Sequence, residues 1–343
     1  MSRRRALAQY LAARLALAPL MLWLIATLVF LLLRLAPGDP IDALLGNRAP
    51  EAARAALRSR LGLDLPLWRQ YGNFLGDLLQ GDLGTSLTNQ DPVSTVIGQT
   101  LPASLELGSV ALILAAMVGL AVGFSGIARP EGKLDLAGRL YGIGTYALPP
   151  FWAAMVVQLI FAVWLGWLPV GGRFPPTLLP PEGSGFYLID SLRIGLGSGD
   201  WRVLAGTVRH LTLPAGTLAL LLSGIFANAL RLNLRRSLAS DYVEAARSRG
   251  LGEARVVLRH ALPNALLPVL TITGITVASL IGGALLIEVT YSWPGIAYRL
   301  QEAISQRDYP LVQGIVVVVA ALVVLVTVTV DVLVALLDPR IRF

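Results

Sequence analysis

Six stretches of the chain stay apolar for about 20 residues or more, the length a helix needs to cross the hydrocarbon of a bilayer. They cover residues 16–35, 104–128, 140–165, 211–230, 265–287 and 312–337. Backbone groups in lipid must be hydrogen-bonded within the protein, which restricts spans of this length to helices. The third stretch contains Pro149-Pro150 and is predicted to be interrupted there. Of the 343 residues, 55% are hydrophobic and only 14% charged. Soluble domains carry about 25% charged residues, and a soluble globule of this size could not hide so much apolar surface. The expected fold is all-α: a polytopic membrane protein with six transmembrane helices.

The first stretch follows Arg3-Arg4-Arg5, as a secretory signal would. Its apolar core is too long for one, and Arg34-Leu35-Ala36-Pro37-Gly38 is a poor cleavage site, so it is read as a retained anchor. Six spans put both termini on one side. Sixteen of the 28 basic residues gather on that side, while 11 are spread over the longer loops of the other. The positive-inside rule therefore predicts cytoplasmic termini and an external loop over residues 36–100. Arg34, Glu106, Glu288 and Asp331 fall near span ends and are expected to stay wet at an interface, Arg34 by snorkelling.

The composition narrows the chemistry. There is no cysteine, and His210 and His260 lie far apart, so no metal site and no catalytic residues are expected. Lys133 is the only lysine and Leu134 follows it, so the chain has no Gly-Lys-Ser/Thr loop to cradle ATP. The net charge of +7 reads as basic loops on one membrane face and not as a nucleic-acid surface. A secondary transporter would need a ladder of titratable groups or broken helices facing a central site, and Pro149-Pro150 is the only hint of one. A membrane enzyme would need a nucleophile with its base, or a His/Glu/Asp cluster, and the two distant histidines give little to build one.

The most informative segment begins at Ser240. Asp241 suits a helix N-cap, and Glu244 falls three residues later, as in a capping box. A two-turn helix over 242–249 is predicted to end at Gly250 in the left-handed region. Gly252 restarts the chain, and a second helix over 253–262 is predicted to stop at Pro263. A helix of two turns is unstable alone and must pack on something. External residues 66–79 place Trp68, Tyr71, Leu75, Leu78 and Leu79 at helical spacing, and residues 81–86 read as a tight turn. Residues 166–205, rich in Gly and Pro, read as irregular.

Glu244-Ala245-Ala246, then Gly250, then Leu262-Pro263, resembles the EAA motif of ABC importer membrane subunits. Further motifs run in order along the chain: Ala36-Pro37-Gly38-Asp39-Pro40, Leu61-Gly62-Leu63-Asp64-Leu65-Pro66-Leu67 with Gln70-Tyr71, Gly81-Asp82-Leu83-Gly84-Thr85-Ser86, Pro294-Gly295-Ile296-Ala297, Arg307-Asp308-Tyr309-Pro310 and Asp338-Pro339-Arg340-Ile341-Arg342. Together they are similar to the B-type permease of dipeptide, oligopeptide and nickel ABC importers. His260 and Arg249 depart from the family pattern, which has Ile and Lys there, and Ala297 replaces a glycine.

The resemblance implies a type I ABC importer transmembrane domain in the bacterial cytoplasmic (inner) membrane. It implies an N-terminal span and external loop over residues 1–93, a transport domain over 94–338 with a coupling loop at 231–262, and a cytoplasmic tail over 339–343. Tyr242, Glu244, Ala245, Ala246, Arg249 and Gly250 would dock on an ATP-binding subunit. Implied partners are a C-type permease, two ATP-binding subunits holding ATP and Mg, an extracytoplasmic substrate-binding protein and membrane lipid. No cofactor is implied on this chain, and the substrate-binding residues are not identified. Four Met, two His and no Cys offer no soft-ligand path for a bare metal. Peptides are therefore the favoured cargo, with chelated nickel or another small solute as the alternative.

Overall fold

A computed structural model describes residues 3–35, 40–45, 49–127 and 132–337. Ala36-Pro37-Gly38-Asp39, Arg129 and the 339–343 tail lie outside the described residues. The elements are α1 (Arg3–Leu35), α2 (Pro40–Leu45), α3 (Glu51–Arg60), α4 (Leu67–Leu79), α5 (Val93–Ser125), α6 (Lys133–Ala147) and α7 (Pro150–Gln158). There follow α8 (Tyr187–Ser198), α9 (Trp201–Leu238), α10 (Asp241–Ser248), α11 (Glu253–Arg255), α12 (Leu262–Gly283), α13 (Leu285–Thr290), α14 (Ile296–Ser305) and α15 (Tyr309–Leu337). Among the described residues the fold is all-α, with one isolated bridge between Thr85 and Pro92.

Five helical segments are long and apolar enough to cross alone: Ala16–Leu35 of α1, α5, α9, Glu253–Val277 and Tyr309–Leu333 of α15. The pair α6–α7 passes the same test but bends by 103° at Leu148-Pro149. Such a pair is either one broken span or a loop that turns back, and contacts with α9 and its neighbours decide between them. The Arg231 guanidinium donates to the Asp135 carbonyl at 3.0 Å. Further along, the Tyr141 and Ser223 hydroxyls bond at 2.6 Å. The Tyr291 hydroxyl then links the Ala154 carbonyl to Thr217. Finally, Arg209 donates to the Trp167 carbonyl at 3.1 Å. The contacts march steadily from Arg231 to Arg209, about 33 Å of helix at 1.5 Å per residue. That is the thickness of a hydrocarbon core, so the bent pair crosses once and the chain makes six crossings.

The central contact joins α5 to α9. Ala103, Leu107, Ala111, Ala115, Gly119 and Gly123 recur every fourth residue on α5, and all are buried. A Cβ at Gly119 would collide with the Ser223 carbonyl, and one at Gly123 with the Ala227 carbonyl. The two backbones therefore touch. Lipid tails are as apolar as leucine, so membrane helices gain by such close packing where small residues allow it. Helices α1 and α15 run antiparallel: Arg14 pairs with Asp331 at one end, and Arg34 lies 4.9 Å from the Tyr309 ring centre at the other. The start of α1 and the end of α15 share a face.

The layer at the Arg34 end of the spans departs from expectation. Glu106 and Glu288 are not wet; they are 3% and 0% exposed. The Arg173 Nη2 donates to Glu106 at 2.7 Å, and the Leu188 N–H donates to its other oxygen. Glu288 accepts from the Ser104 hydroxyl and from the Tyr298 N–H at the start of α14. A Cβ on Gly295 would strike that carboxylate, which accounts for the glycine in Pro294-Gly295-Ile296-Ala297. Asp331, paired with Arg14, keeps 25% of its side chain exposed. The segment 166–205 is not irregular throughout, because α8 forms within it. Arg173 also donates to the Gly185 carbonyl at 2.6 Å, so the Glu106 ion pair anchors the approach to that helix.

Residues 66–79 form a helix as expected. Tyr71 bonds Thr27 at 2.6 Å and packs edge-on against Phe30, while Trp68 and Leu79 stay exposed. Two motifs distant in sequence meet: the Ser86 hydroxyl donates to Asp308 at 2.5 Å, and Asp308 also accepts the Leu311 N–H, capping α15.

Breaking a buried ion pair leaves one charge uncompensated, at a cost of about 3–5 kcal/mol. Glu106→Ala should therefore lower the unfolding midpoint of the detergent-solubilised protein sharply. The double variant Glu106→Gln with Arg173→Met should recover part of that loss, and no recovery would show that the pair is not what holds the external layer.

Candidate coupling segment

Helix α9 runs well past its apolar stretch and ends at Leu238, carrying Arg231, Arg235 and Arg236. The chain then turns back on it. Ser240, not Asp241, is the cap residue, with extended backbone (φ −91°, ψ 151°). The Ser240 hydroxyl donates backwards to the Ser237 carbonyl, so no capping box forms. Asp241 and Glu244 both lie in the first turn, where carboxylates stabilise the positive end of the helix dipole.

The eight residues of α10 divide by face. Val243 and Ala246 are 0% and 7% exposed and pack in the cluster with Leu230, Leu234 and Val256. Tyr242, Glu244, Ala245, Arg249 and Gly250 are exposed. The structure thus turns Ala246 away from any partner: its small side chain lets the helix lie close against its own protein. The remaining five residues singled out in the motif face outward together.

Gly250 sits at φ +79°, the left-handed conformation expected of it. Its N–H donates to the Arg247 carbonyl at 2.9 Å, and the Leu251 N–H to the Ala246 carbonyl at 3.4 Å. That pair of bonds is a Schellman motif. A Cβ at Gly250 would meet nothing within 4 Å, so backbone conformation and not crowding selects the glycine. Arg247 reaches across the turn and donates twice to Glu253, at 3.0 and 2.5 Å. That bonding raises the Arg247 pKa above its ordinary value.

The second helix does not stop at Pro263. From Glu253, α11 passes through a π-helical turn at Val256–Ala261 directly into α12. Proline lacks an N–H, and its ring opposes the carbonyl four residues back; the wider turn makes room for it. The coupling segment is therefore continuous with the fifth span.

One buried charge cluster beside the segment was not singled out in the sequence. Asp135, in the first turn of α6, is 1% exposed and gathers arginines from two helices. The Arg235 Nη2 lies 2.7 Å away, Arg139 3.0 Å and the Arg231 Nε 3.7 Å. The sequence held no signal for it, since nothing there sets Asp135 apart from Glu131, Asp241, Glu244 or Glu253 in the same set of loops. A cavity of about 900 Å³ opens beside it, between the ends of α5 and α9 and the coupling segment, lined by Phe124, Leu238, Val257 and Leu258 with Arg235 and Glu253.

The left-handed region costs an ordinary residue about 1–2 kcal/mol, is easier for Asn, and strongly disfavours β-branched side chains. At matched membrane levels, transport should fall in the order Gly250→Asn, Gly250→Ala, Gly250→Val, with Val worst. An Asn variant no better than Ala would contradict the conformational account.

Comparison with known proteins agrees with this architecture. Residues 96–343 match the family described as binding-protein-dependent transport system inner membrane component, and residues 7–108 match its N-terminal companion. The di/tripeptide transport system permease protein DppB of Pseudomonas aeruginosa is 41% identical over 97% of this chain and 98% of its own length. The dipeptide transport system permease protein DppB of Alkalihalophilus pseudofirmus is 38% identical over 92% of this chain and 93% of its own. The probable D,D-dipeptide transport system permease protein DdpB of Escherichia coli is 39% identical, covering 92% of each chain. With both matches spanning nearly its whole length, the chain is a multi-pass inner membrane protein that belongs to the family of binding-protein-dependent transport system inner membrane components.

Proposed function

We propose that this chain is the membrane-spanning permease subunit of an ATP-driven importer that moves short peptides into the cytoplasm. The observation that carries the reading is the build of α10. Two buried residues pin it to the protein, its other face presents Tyr242, Glu244, Ala245 and Arg249, and a glycine turn leads from it into a membrane span. A short exposed helix with that anchorage suits insertion into a groove of another subunit. The partner ATPases would bind and split ATP with Mg, and their closure would move the spans as rigid bodies. A second, C-type permease would complete the pathway, and an extracytoplasmic binding protein would deliver the cargo. Residues 94–338 would form the transport domain, with residues 1–93 adding a span and an external layer. Peptide cargo is supported by the relatives, whose names specify di- and tripeptides or dipeptides.

The shared face of the first and last spans carries the coupling segment and the excess of basic residues, which makes it the cytoplasmic face. A reporter fused after Phe343 should be active only in the cytoplasm, and periplasmic activity would reverse the orientation.

Glu244→Lys places a positive charge at the positive end of a helix, beside Arg247 and Arg249, costing about 0.3–1 kcal/mol locally. Uptake should fall and co-purification of the ATPases should weaken, while the permease still inserts. Normal uptake with normal co-purification would remove the docking role. Binding of labelled dipeptides, and of a nickel chelate for comparison, to the cognate delivery protein tests the cargo.

A further inference from the structure

On the face opposite the coupling segment, a cavity of about 260 Å³ lies between α1, α4 and the first turns of α15. Its polar lining is Arg34, Gln70, Asn73, Asp77, Asp82 and Gln313. Arg34 is held firmly. Its Nε donates to Gln70 at 2.9 Å, and its guanidinium lies 4.8 Å from the Phe30 ring centre and 4.9 Å from that of Tyr309. Gln70 in turn donates to the Leu65 carbonyl at 2.8 Å. Despite this support, the Arg34 Nη1 is buried with no acceptor. The same holds for the Nε2 of Gln313, a residue only 7% exposed. Unpaired buried donors are costly, and two on residues that line one cavity favour an acceptor there that is anionic or strongly polar.

Two carboxylates, Asp77 and Asp82, line the same cavity, so its charged groups sum to −1. A purely anionic ligand is disfavoured by that balance. A ligand with an anion at one end and an ammonium at the other satisfies both halves. The site also lies at an interface. Leu28, Leu31 and Leu32 are exposed on α1 in the turns before Arg34, and α4, which lines the cavity, exposes Leu67, Trp68 and Leu79. Leucines on a span with an amphipathic, Trp-bearing helix beside its end mark the boundary between hydrocarbon and headgroups. We propose that this cavity binds the headgroup of a phospholipid bearing a primary ammonium, with its phosphate on Arg34 and Gln313 and its ammonium toward Asp77 and Asp82. A free peptide offers the same pair of charged ends, and the test separates the two sources.

The full transporter is reconstituted in phosphatidylcholine nanodiscs doped with phosphatidylethanolamine or with phosphatidylglycerol. Retained lipid is counted by native mass spectrometry, and the unfolding midpoint is measured in parallel. Phosphatidylethanolamine should be retained selectively and should raise the midpoint, whereas phosphatidylglycerol should do neither. Gln313→Leu and Asp77→Asn should each weaken retention about tenfold, the loss of one hydrogen bond to a charged group. Gln313→Leu removes an unpaired donor, so its midpoint in phosphatidylcholine should hold or rise, which distinguishes lost binding from misfolding. Equal retention of the two lipids, or an undiminished ethanolamine preference in both variants, would overturn the proposal. Displacement of the lipid by dialanine would overturn it in favour of a peptide site.

Discussion

The backbone contact between α5 and α9 is the constraint on which the rest of the molecule depends. Gly119 and Gly123 face the Ser223 and Ala227 carbonyls with no room for a side chain. Dispersion falls off steeply with separation, so this approach gives each helix many weak contacts that lipid would not improve. It also makes α9 a ruler. On another side, Gly224 meets Thr145 and Gly142 meets Asn228, which fixes the depth of α6. Tyr291, buried against α9 through Thr217, sets the depth of α7 through the Ala154 carbonyl. A span that bends by 103° still crosses because each half is registered separately against the same unbroken helix.

The face opposite the coupling segment uses polar chemistry for the same task. Glu106 with Arg173, Glu288 with Ser104, and Asp308 with Ser86 each join segments far apart in sequence. Each is a buried charge with its oxygens bonded, and such groups specify a single arrangement because any other would leave them unsatisfied. The cavity beside Arg34 differs in kind: it lies at the rim, where lipid and water both reach.

What the sequence disclosed follows the range of the forces involved. The spans and Gly250 were legible because length, apolarity and a helix-ending turn are local properties. The register of the cap was not. Ser240 and Asp241 both suit the position, and the choice fell to the backbone geometry that brings Val243 and Ala246 onto α9. The wetness expected of Glu106 and Glu288 failed because their partners lie outside the spans: Arg173 is 67 residues from Glu106 in a segment that reads as irregular, and the α14 N-terminus is about ten residues beyond Glu288. The small residues spaced four apart on α5 were not singled out, because that spacing points to a partner helix only once α9 is in place. Pro263 was misread as a stop because the local rule assumes an α-helix, and a π-helical turn relaxes it.

On the proposed function, that last difference decides how force travels. Had the helix from Glu253 ended at Pro263, a push on α10 would have been lost in a loop. Instead Glu253–Val277 is continuous and enters the membrane. At the other end of α10, Val243 and Ala246 bind it to α9, and Asp135 clasps α6 to the same end of α9 through Arg231 and Arg235. A load on the exposed face therefore meets α5, α6 and α9 as one packed body. The fifth span joins that body twice: through the turn at Gly250, and through Val256, Ala261, Ala265 and Val269, which pack in one buried cluster with Phe226, Leu230 and Leu234 of α9. A subunit gripping α10 would therefore load α9 and α12 together, and the close contact at Gly119 and Gly123 carries that load on to α5.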